Sequence, residues 1–198
     1  PMSQAPRIVI VGAGPAGVRA AQALVEAGVR PILVDEGQRD GGQIYRRQPA
    51  GFRRSYAKIY GSEAAKAAAL HSSFDTLRER VDYRDRTLAW NVTANALHTT
   101  RDGTAVTLPF DALIVCGGAT DRLMPLPGWQ RAGCYSLGAA QIALKAQACA
   151  IGTRTVFLGS GPLLYLVASQ YLRAGANVAA VLDTAPAAGA RAALAILR

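Results

Sequence analysis

RIVIVGAGPAG, from Arg7 to Gly17, is the stretch whose reading decides the fold. Arg7 to Val11 is a short apolar run rich in β-branched residues and closed by glycine, the pattern of a strand buried on both faces in a parallel sheet. From Pro15 to Ala27 the residues Val18, Ala21, Leu24 and Val25 recur at helical spacing, and Gly28 supplies a C-terminal stop. Pro31 to Val34 then predicts a second buried strand ending at Asp35 and Glu36. Strand, glycine turn, helix and strand make a βαβ unit. In that setting Gly12 permits the tight strand-to-helix turn, Gly14 lets backbone approach a pyrophosphate, and Gly17 lets the helix pack close to the strand. Pro15 and Ala16 open the helix, whose free amides and positive dipole end face the phosphates. Asp35 is a hydrogen-bond acceptor for ribose hydroxyls, with Glu36 able to share or take that role. The alternative is that these glycines serve only a tight turn.

Working outward from this unit, Gln38 to Gly61 is rich in Gly, Arg, Pro and Tyr and predicts an irregular surface excursion, followed by a helix over Glu63 to Arg80. Thr87 to Thr93, Ala96 to Thr100 and Ala105 to Leu108, the last two joined by the turn dipeptide Asp102-Gly103, predict a small antiparallel meander. Ala112 to Val115 reads as a further buried strand leading into Cys116-Gly117-Gly118, and Pro125, Pro127 and Gly128 mark a linker. Beyond it the pattern repeats: a helix over Leu137 to Ala150, a strand over Thr155 to Leu158, a helix over Pro162 to Ala174 and a strand over Val178 to Leu182. Val11-Gly-Ala-Gly-Pro aligns with Leu158-Gly-Ser-Gly-Pro at a separation of 147 positions, an internal duplication that points to two nucleotide-binding folds in tandem. The expected organisation is a first Rossmann-like domain over residues 1–128 and the first part of a second over residues 129–198. In the second copy Gly159 and Gly161 match the first two glycines, but Leu164 stands in place of the third, so helix and strand there must sit further apart or pack differently. Asp183 is the candidate ribose acid, one position later than simple alignment puts it. That copy either binds an adenine nucleotide or keeps the fold without a ligand.

Composition narrows the class. Half the chain is apolar (51%), enough for a buried core, and no uninterrupted apolar run approaches the roughly 18 residues of a membrane span. Pro1 to Pro6 lacks the basic start and apolar core of a secretory signal, so a cytoplasmic chain is expected. Three widely spaced cysteines, Cys116, Cys134 and Cys149, form no C-x-x-C and argue against a disulfide framework, a zinc site or a dithiol redox centre. Each reads as a small buried or semi-buried thiol. His71 and His98 lie in no catalytic motif, which leaves them surface or packing roles, and no catalytic residue is assigned. The net charge of +9 raises the question of nucleic acid. Its densest part, Arg46, Arg47, Arg53, Arg54 and Lys58 interleaved with Tyr45, Phe52, Tyr56 and Tyr60, is surrounded by no nucleic-acid-binding module. It reads as a solvated or subunit-facing surface, with phosphate or anionic substrate contact as the alternative.

The motifs Val11 to Gly17 (VGAGPAG), Arg39 to Gln43 (RDGGQ), Leu113 to Thr120 (LIVCGGAT) and Pro125 to Gly128 (PLPG) resemble the two-dinucleotide-binding-domain flavoproteins, the pyridine nucleotide-disulfide oxidoreductase family. Within it, Gly41 to Arg46 (GGQIYR), Asp121 to Trp129 (DRLMPLPGW) and Gly159 to Leu164 (GSGPLL) are most similar to the α or A subunits of opine oxidase, dye-linked proline dehydrogenase, sarcosine oxidase and hydrogen cyanide synthase. The resemblance implies FAD, or an adenine nucleotide in its place, in the first domain and NAD(P) as an option in the second. It implies that Gly41, Gly42 and Gln43 line the flavin side and that the turn at Gly118 passes near it. Cys116-Gly117-Gly118 replaces the usual Ala-Thr-Gly there and loses a hydroxyl. It further implies an oligomer in which a partner subunit carries most of the amine or amino-acid oxidation.

Two roles follow from that resemblance: an FAD-dependent oxidoreductase subunit relaying electrons from an amine, opine or imino acid, or a non-catalytic nucleotide-binding scaffold. A free-standing NAD(P)H-dependent flavin reductase is a third. The family inserts its second domain into the first, and no returning segment follows the second βαβ before Arg198, so a fragment or a chain completed by a partner is expected, with open apolar surfaces that favour association.

Overall fold

The computed structural model describes residues 5–186, which fall into two compact units. The first comprises residues 5–47 and Ala65–Ala119, the second Gln48–Ala64 and residues 120–186.

In the first unit, β1 (Ile8–Val11) is one of the two inner strands of a parallel sheet. Helix α1 (Pro15–Glu26) follows the glycine turn, and β2 (Ile32–Val34) returns parallel to β1 with Val11 beside Val34. Helix α3 (Ala64–Leu77) leads into β3 (Asp82–Arg84), and β7 (Ala112–Val115) closes a parallel sheet of order β3-β2-β1-β7. The meander β4 (Thr87–Thr93), β5 (Ala96–Arg101) and β6 (Thr104–Pro109) forms a separate antiparallel sheet, its last turn made by Asp102 and Gly103 with φ of 48° and 79°.

Period-two alternation sorts the sheet residues between layers. Val9 and Val34 pack with Leu97 and Leu108 of the meander, each burial being worth about 1.5–3 kcal/mol. On α1, Gly17, Val18, Ala21 and Val25 are buried, and on α3 Phe74 meets Tyr83 of β3 edge to face with ring centroids 5.0 Å apart. Three layers result, as the sequence predicts for an α/β dinucleotide-binding fold. β3 was not expected, since three residues of Asp-Tyr-Arg carry no apolar run. Its pairing with β2 supplies the strand character. β7 differs from its expectation of full burial: it lies at the sheet edge and Val115 is 70% exposed.

In the second unit, α2 (Tyr56–Tyr60) and a 3-10 turn (Gly61–Glu63) interrupt the excursion that the sequence predicts to be irregular. Tyr56 and Tyr60, one helical turn apart, pair their rings at 5.3 Å. Helix α4 (Leu137–Gln141) is capped twice, by Ser136 Oγ accepting from the Ala139 amide at 3.0 Å and by Asp121 Oδ2 accepting from the Gly138 amide at 2.6 Å. It continues as a π turn over Ile142–Ala146 and stops short of the predicted Ala150, where Ala148 takes a φ of 57°. Strand β8 (Thr155–Gly159), helix α5 (Pro162–Arg173) and β9 (Val178–Asp183) form the second βαβ, a two-stranded parallel sheet among the described residues. Its core is Ala140, Phe157, Leu164, Val167, Ala168 and Tyr171. Val156 and Leu158 alternate away from Phe157 and are 53% and 45% exposed, so β8 is buried on one face and not on both. Cys134 and Cys149 are exposed, which corrects their expected burial; Cys116 alone is half-buried, and burial pushes its thiol up.

Candidate dinucleotide site

Two close approaches make the turn after β1. Gly12 has a φ of 101°, and a Cβ there would stand 2.3 Å from the Cys116 carbonyl oxygen of the turn after β7. A Cβ on Gly17 would stand 1.7 Å from the Gly12 carbonyl oxygen, so the first turn of α1 lies on the turn itself. Gly14 has an unstrained backbone, φ −74°, and begins α1 without a side-chain cap or an acidic residue in the first turn. The Val18 amide already bonds the Gly14 carbonyl at 3.0 Å, and the preceding first-turn amides, at Ala16 and Gly17, are those that a helix start offers to an anion. Pro15 has no amide to offer.

Asp35 holds this turn to the end of β2. Its Oδ2 accepts from the Ala13 amide at 2.5 Å and its Oδ1 from the Gly37 amide at 2.7 Å. A carboxylate has about four lone-pair sites, so each oxygen keeps room for one further donor such as a ribose hydroxyl. Glu36 is exposed beside it. Tyr83 was not singled out from the sequence. Its buried hydroxyl has no hydrogen-bond partner among the described residues, and burial first, then Asp35, Asp40 and Asp85, push its ionisation well up, so it is a neutral donor at this end of the sheet.

On the other side of the glycine turn lies the Gly41–Gln43 loop. The Gly41 amide donates to the Ala13 carbonyl at 2.9 Å, and a Cβ on Gly42 would come within 2.8 Å of Gly14 Cα. Gly41 and Gly42 both have positive φ, 102° and 58°. Gln43 Nε2 donates to the Ala119 carbonyl at 2.5 Å, which ties the loop to the segment after β7 where Gly118 sits, exposed, with a φ of 70°. Residues 12–17, 35–36, 41–43 and 118 therefore converge on the carboxyl ends of β2, β1 and β7. This is where open parallel sheets bind ligands. Gly14 and Gly42 meet backbone to backbone, and a Cβ on Gly14 would make an ordinary van der Waals contact with Gly42 Cα at 3.6 Å. The residues fit a pyrophosphate with a ribose beside Asp35.

Behind the loop is a network that sequence reading left in the basic surface cluster. Arg47 Nε and Nη2 donate to the Asp40 carboxylate at 2.7 and 3.2 Å, and Nη2 also donates to the His71 carbonyl at 2.9 Å. Asp75 accepts from the same guanidinium at 2.8 and 3.3 Å. Asp40 is buried, and burial pushes its carboxyl above its ordinary range even with Arg47 pulling the other way. His71 is buried and bonds the Tyr45 carbonyl through Nε2 at 2.7 Å, so that nitrogen carries the proton; burial lowers its basicity. His71 thus packs a loop, within the role expected of it. His98 lies half-buried on β5 beside Trp90 and Thr107.

The second copy is built differently. Gly159 belongs to β8, pairs with Asp183 and has no positive φ; Gly161 instead turns the chain, with a φ of 85°. Leu164 fills the core between α5 and β8. Register explains the late acid: Thr155 pairs with Val178 but Val156 with Ala180, so Ala179 is an extra residue in β9 that moves the strand end from position 182 to 183. Asp183 Oδ1 accepts from the Ala185 amide at 2.8 Å, as Asp35 does from Gly37, and its Oδ2 accepts from the Tyr165 hydroxyl at 2.5 Å where that of Asp35 accepts from a backbone amide. Those two donors, the tyrosine first, hold the Asp183 carboxyl below its ordinary range.

Among known proteins, a family described as pyridine nucleotide-disulphide oxidoreductase matches residues 6–194. The A-type subunit of opine oxidase from Rhizobium meliloti is 40% identical over 191 residues, which cover 90% of this chain and 35% of that protein. Hydrogen cyanide synthase subunit HcnB of Pseudomonas protegens is 34% identical over 178 residues, 88% of this chain and 38% of that protein. This chain therefore spans little more than a third of the length of those relatives. The L-proline dehydrogenase structure from P. horikoshii superposes with a TM-score of 0.72 at 17% identity, covering 90% of this chain and 36% of that one, a likeness of fold.

Proposed function

The chain belongs to the pyridine nucleotide-disulphide oxidoreductase family, and from that membership we propose that its first unit holds FAD as part of an oxidoreductase that oxidises an amine, opine or imino acid together with a partner subunit. The observation that carries the cofactor half of this reading is the close approach of the Gly14 and Gly42 backbones, where a Cβ on Gly42 would stand 2.8 Å from Gly14 Cα, so that the glycine turn presents backbone without side chains to a pyrophosphate. Asp35 would accept from the ribose, with Glu36 beside it. The first-turn amides of α1 at Ala16 and Gly17 would meet the phosphates, and Gly41, Gly42, Gln43 and Gly118 would flank the flavin half. FAD, when bound, supplies two-electron redox chemistry. This chain's groups would bind, orient and shield it.

The substrate half rests on the relatives' printed names, opine oxidase and hydrogen cyanide synthase subunits, and on the cysteines. Cys116, Cys134 and Cys149 form no C-x-x-C, so the disulphide chemistry in the family's name has no dithiol here. NAD(P) at the second unit belongs to the same proposal.

The test is direct. Purified protein mixed with FAD should retain a yellow chromophore absorbing near 450 nm, a band of order that wavelength for oxidised flavin. Gly14→Val should lower FAD affinity at least about a hundredfold, since its branched side chain would stand on the turn where the pyrophosphate is placed, while far-UV circular dichroism stays unchanged because φ −74° suits any residue. Retention of FAD by that variant would refute the assigned site. A wild-type chain that stays colourless and holds ADP or ATP would favour a scaffold whose nucleotide is structural.

A further inference from the structure

The Asp40–Arg47–Asp75 network lies outside the contacts just assigned, yet it stands immediately behind them. A dinucleotide whose adenosine ribose is at Asp35 and whose pyrophosphate is at Gly12 and Gly14 must send its other half away from β2, toward β7. The wall on that side is the Gly41–Gln43 backbone, and that loop is glycine at two of three positions with positive φ at both. Backbone of this kind has many accessible conformations and is costly to order. Something must hold it. Its direct ties are the Gly41 amide on Ala13 and the Gln43 side chain on Ala119.

The residues on either side supply the rest. Asp40 precedes the loop and is only 4% exposed; Arg47 follows it and grips Asp40 through two nitrogens. The same guanidinium bonds the His71 carbonyl and the Asp75 carboxylate, both on α3, while His71 Nε2 donates to Tyr45, whose amide bonds the Gly41 carbonyl at 3.0 Å. The loop is thereby closed at its base and stapled to a helix of fixed position. Arginine suits this task because its planar fork meets several acceptors at once, and lysine does not.

We infer that Arg47 is a positioning residue for the distal half of the dinucleotide: by tying Asp40 to His71 and Asp75 on α3 it holds the Gly41–Gln43 backbone against Gly14 and sets that wall of the site. The inference rests on the FAD reading above. It makes a distinction that a general structural role would not make, because ADP needs only the Asp35 and Gly14 side, whereas FAD needs the loop as well.

The experiment compares FAD and ADP binding by titration calorimetry in the wild-type chain, Arg47→Gln, Arg47→Lys and Asp75→Asn, with amide hydrogen exchange on each ligand-free protein. Arg47→Gln should weaken FAD by about tenfold while ADP stays within about twofold, and should speed exchange at Gly41 and Tyr45 but not in β1. Arg47→Lys should recover part of the FAD loss. Asp75→Asn removes a 64% exposed partner, so it should fold even if Arg47→Gln strands the buried Asp40, and it should give a smaller loss in the same direction. FAD affinity unchanged in both variants, or FAD and ADP weakened equally, overturns the positioning role, as does unaltered exchange at Gly41. Wild-type protein that binds ADP but not FAD, with Gly41 exchange still dependent on Arg47, overturns the FAD reading and the ligand half of this inference with it, while the clamp on the loop stands.

Discussion

The turns after β1 and after β8 carry the same Gly-x-Gly-Pro, yet they solve different packing problems. In the first, Gly12 bends the chain and Gly17 brings α1 onto the turn, so two absent side chains bring three strand ends together around Gly14. In the second, the strand runs on through Gly159, Gly161 makes the bend, and Leu164 supplies core where Gly17 supplies clearance. Close approach is thus the property of the first copy, and apolar filling that of the second. The acids differ in their donors. Each accepts two hydrogen bonds, Asp35 from two backbone amides and Asp183 from one amide and the Tyr165 hydroxyl.

Exchanging the third-position residues should break this contrast most severely. Gly17→Leu places a Cβ where the Gly12 oxygen stands, 1.7 Å away, and should cost about 3 kcal/mol or more, with loss of FAD retention. Leu164→Ala, in the other copy, should cost about 2–5 kcal/mol as a core truncation and leave FAD affinity at the first unit unchanged. Urea unfolding followed by circular dichroism, with FAD binding alongside, checks both. Tolerance of Gly17→Leu would mean the first copy is no tighter than the second.

A smaller effect should come from Tyr165→Phe. Without its hydroxyl, Asp183 loses the donor that holds its carboxyl low and has one more lone pair open to a ribose. FAD-loaded protein should then bind added ADP or NADH several-fold more tightly than wild type in a calorimetric titration. If affinity is unmoved, Leu164 and the Gly161 turn, rather than Tyr165, separate the second copy from the first.

Least in size is the response to pH, which should differ between the units. Burial lowers the His71 value below its usual 6.5, so the unfolded chain binds more protons there, and the stability contributed by neutral His71 is full above 6.5 and lost as pH falls through the lowered value. Asp183 is held below its usual 3.8, so its contribution is present above 3.8 and is lost only as pH falls further. Unfolding midpoints measured from neutral to strongly acidic pH should show the mild-acid decline disappear in His71→Gln and persist in Asp183→Asn.

Much of the first unit is legible in its residues because the signals are local. An apolar run of four, a glycine at the bend and helical spacing of Val18, Ala21 and Val25 are enough to place β1, α1 and β2. What escaped reading depended on distant partners. β3 is a strand because β2 lies beside it, the exposed ends of β7 follow from its edge position, and Ala148 with its positive φ ends the π turn before the predicted helix end. In the site, the Gly12, Gly14, Gly17 and Asp35 positions were readable from spacing. Arg47 was not, since a guanidinium among other cations looks the same whether it faces solvent or bridges two carboxylates 35 positions apart, Asp40 and Asp75.

The sequence by itself determined the βαβ unit, its repetition and the departure at Leu164, because each depends on residue type and spacing along a few turns of chain. Only the tertiary structure decided which donors meet each carboxylate, that an extra residue at Ala179 delays the second acid, and that Arg47 staples the glycine loop. Those are matters of register and of pairing over long separations, and hydrogen bonds between groups far apart in the chain are set by how the layers pack, not by the composition of either segment.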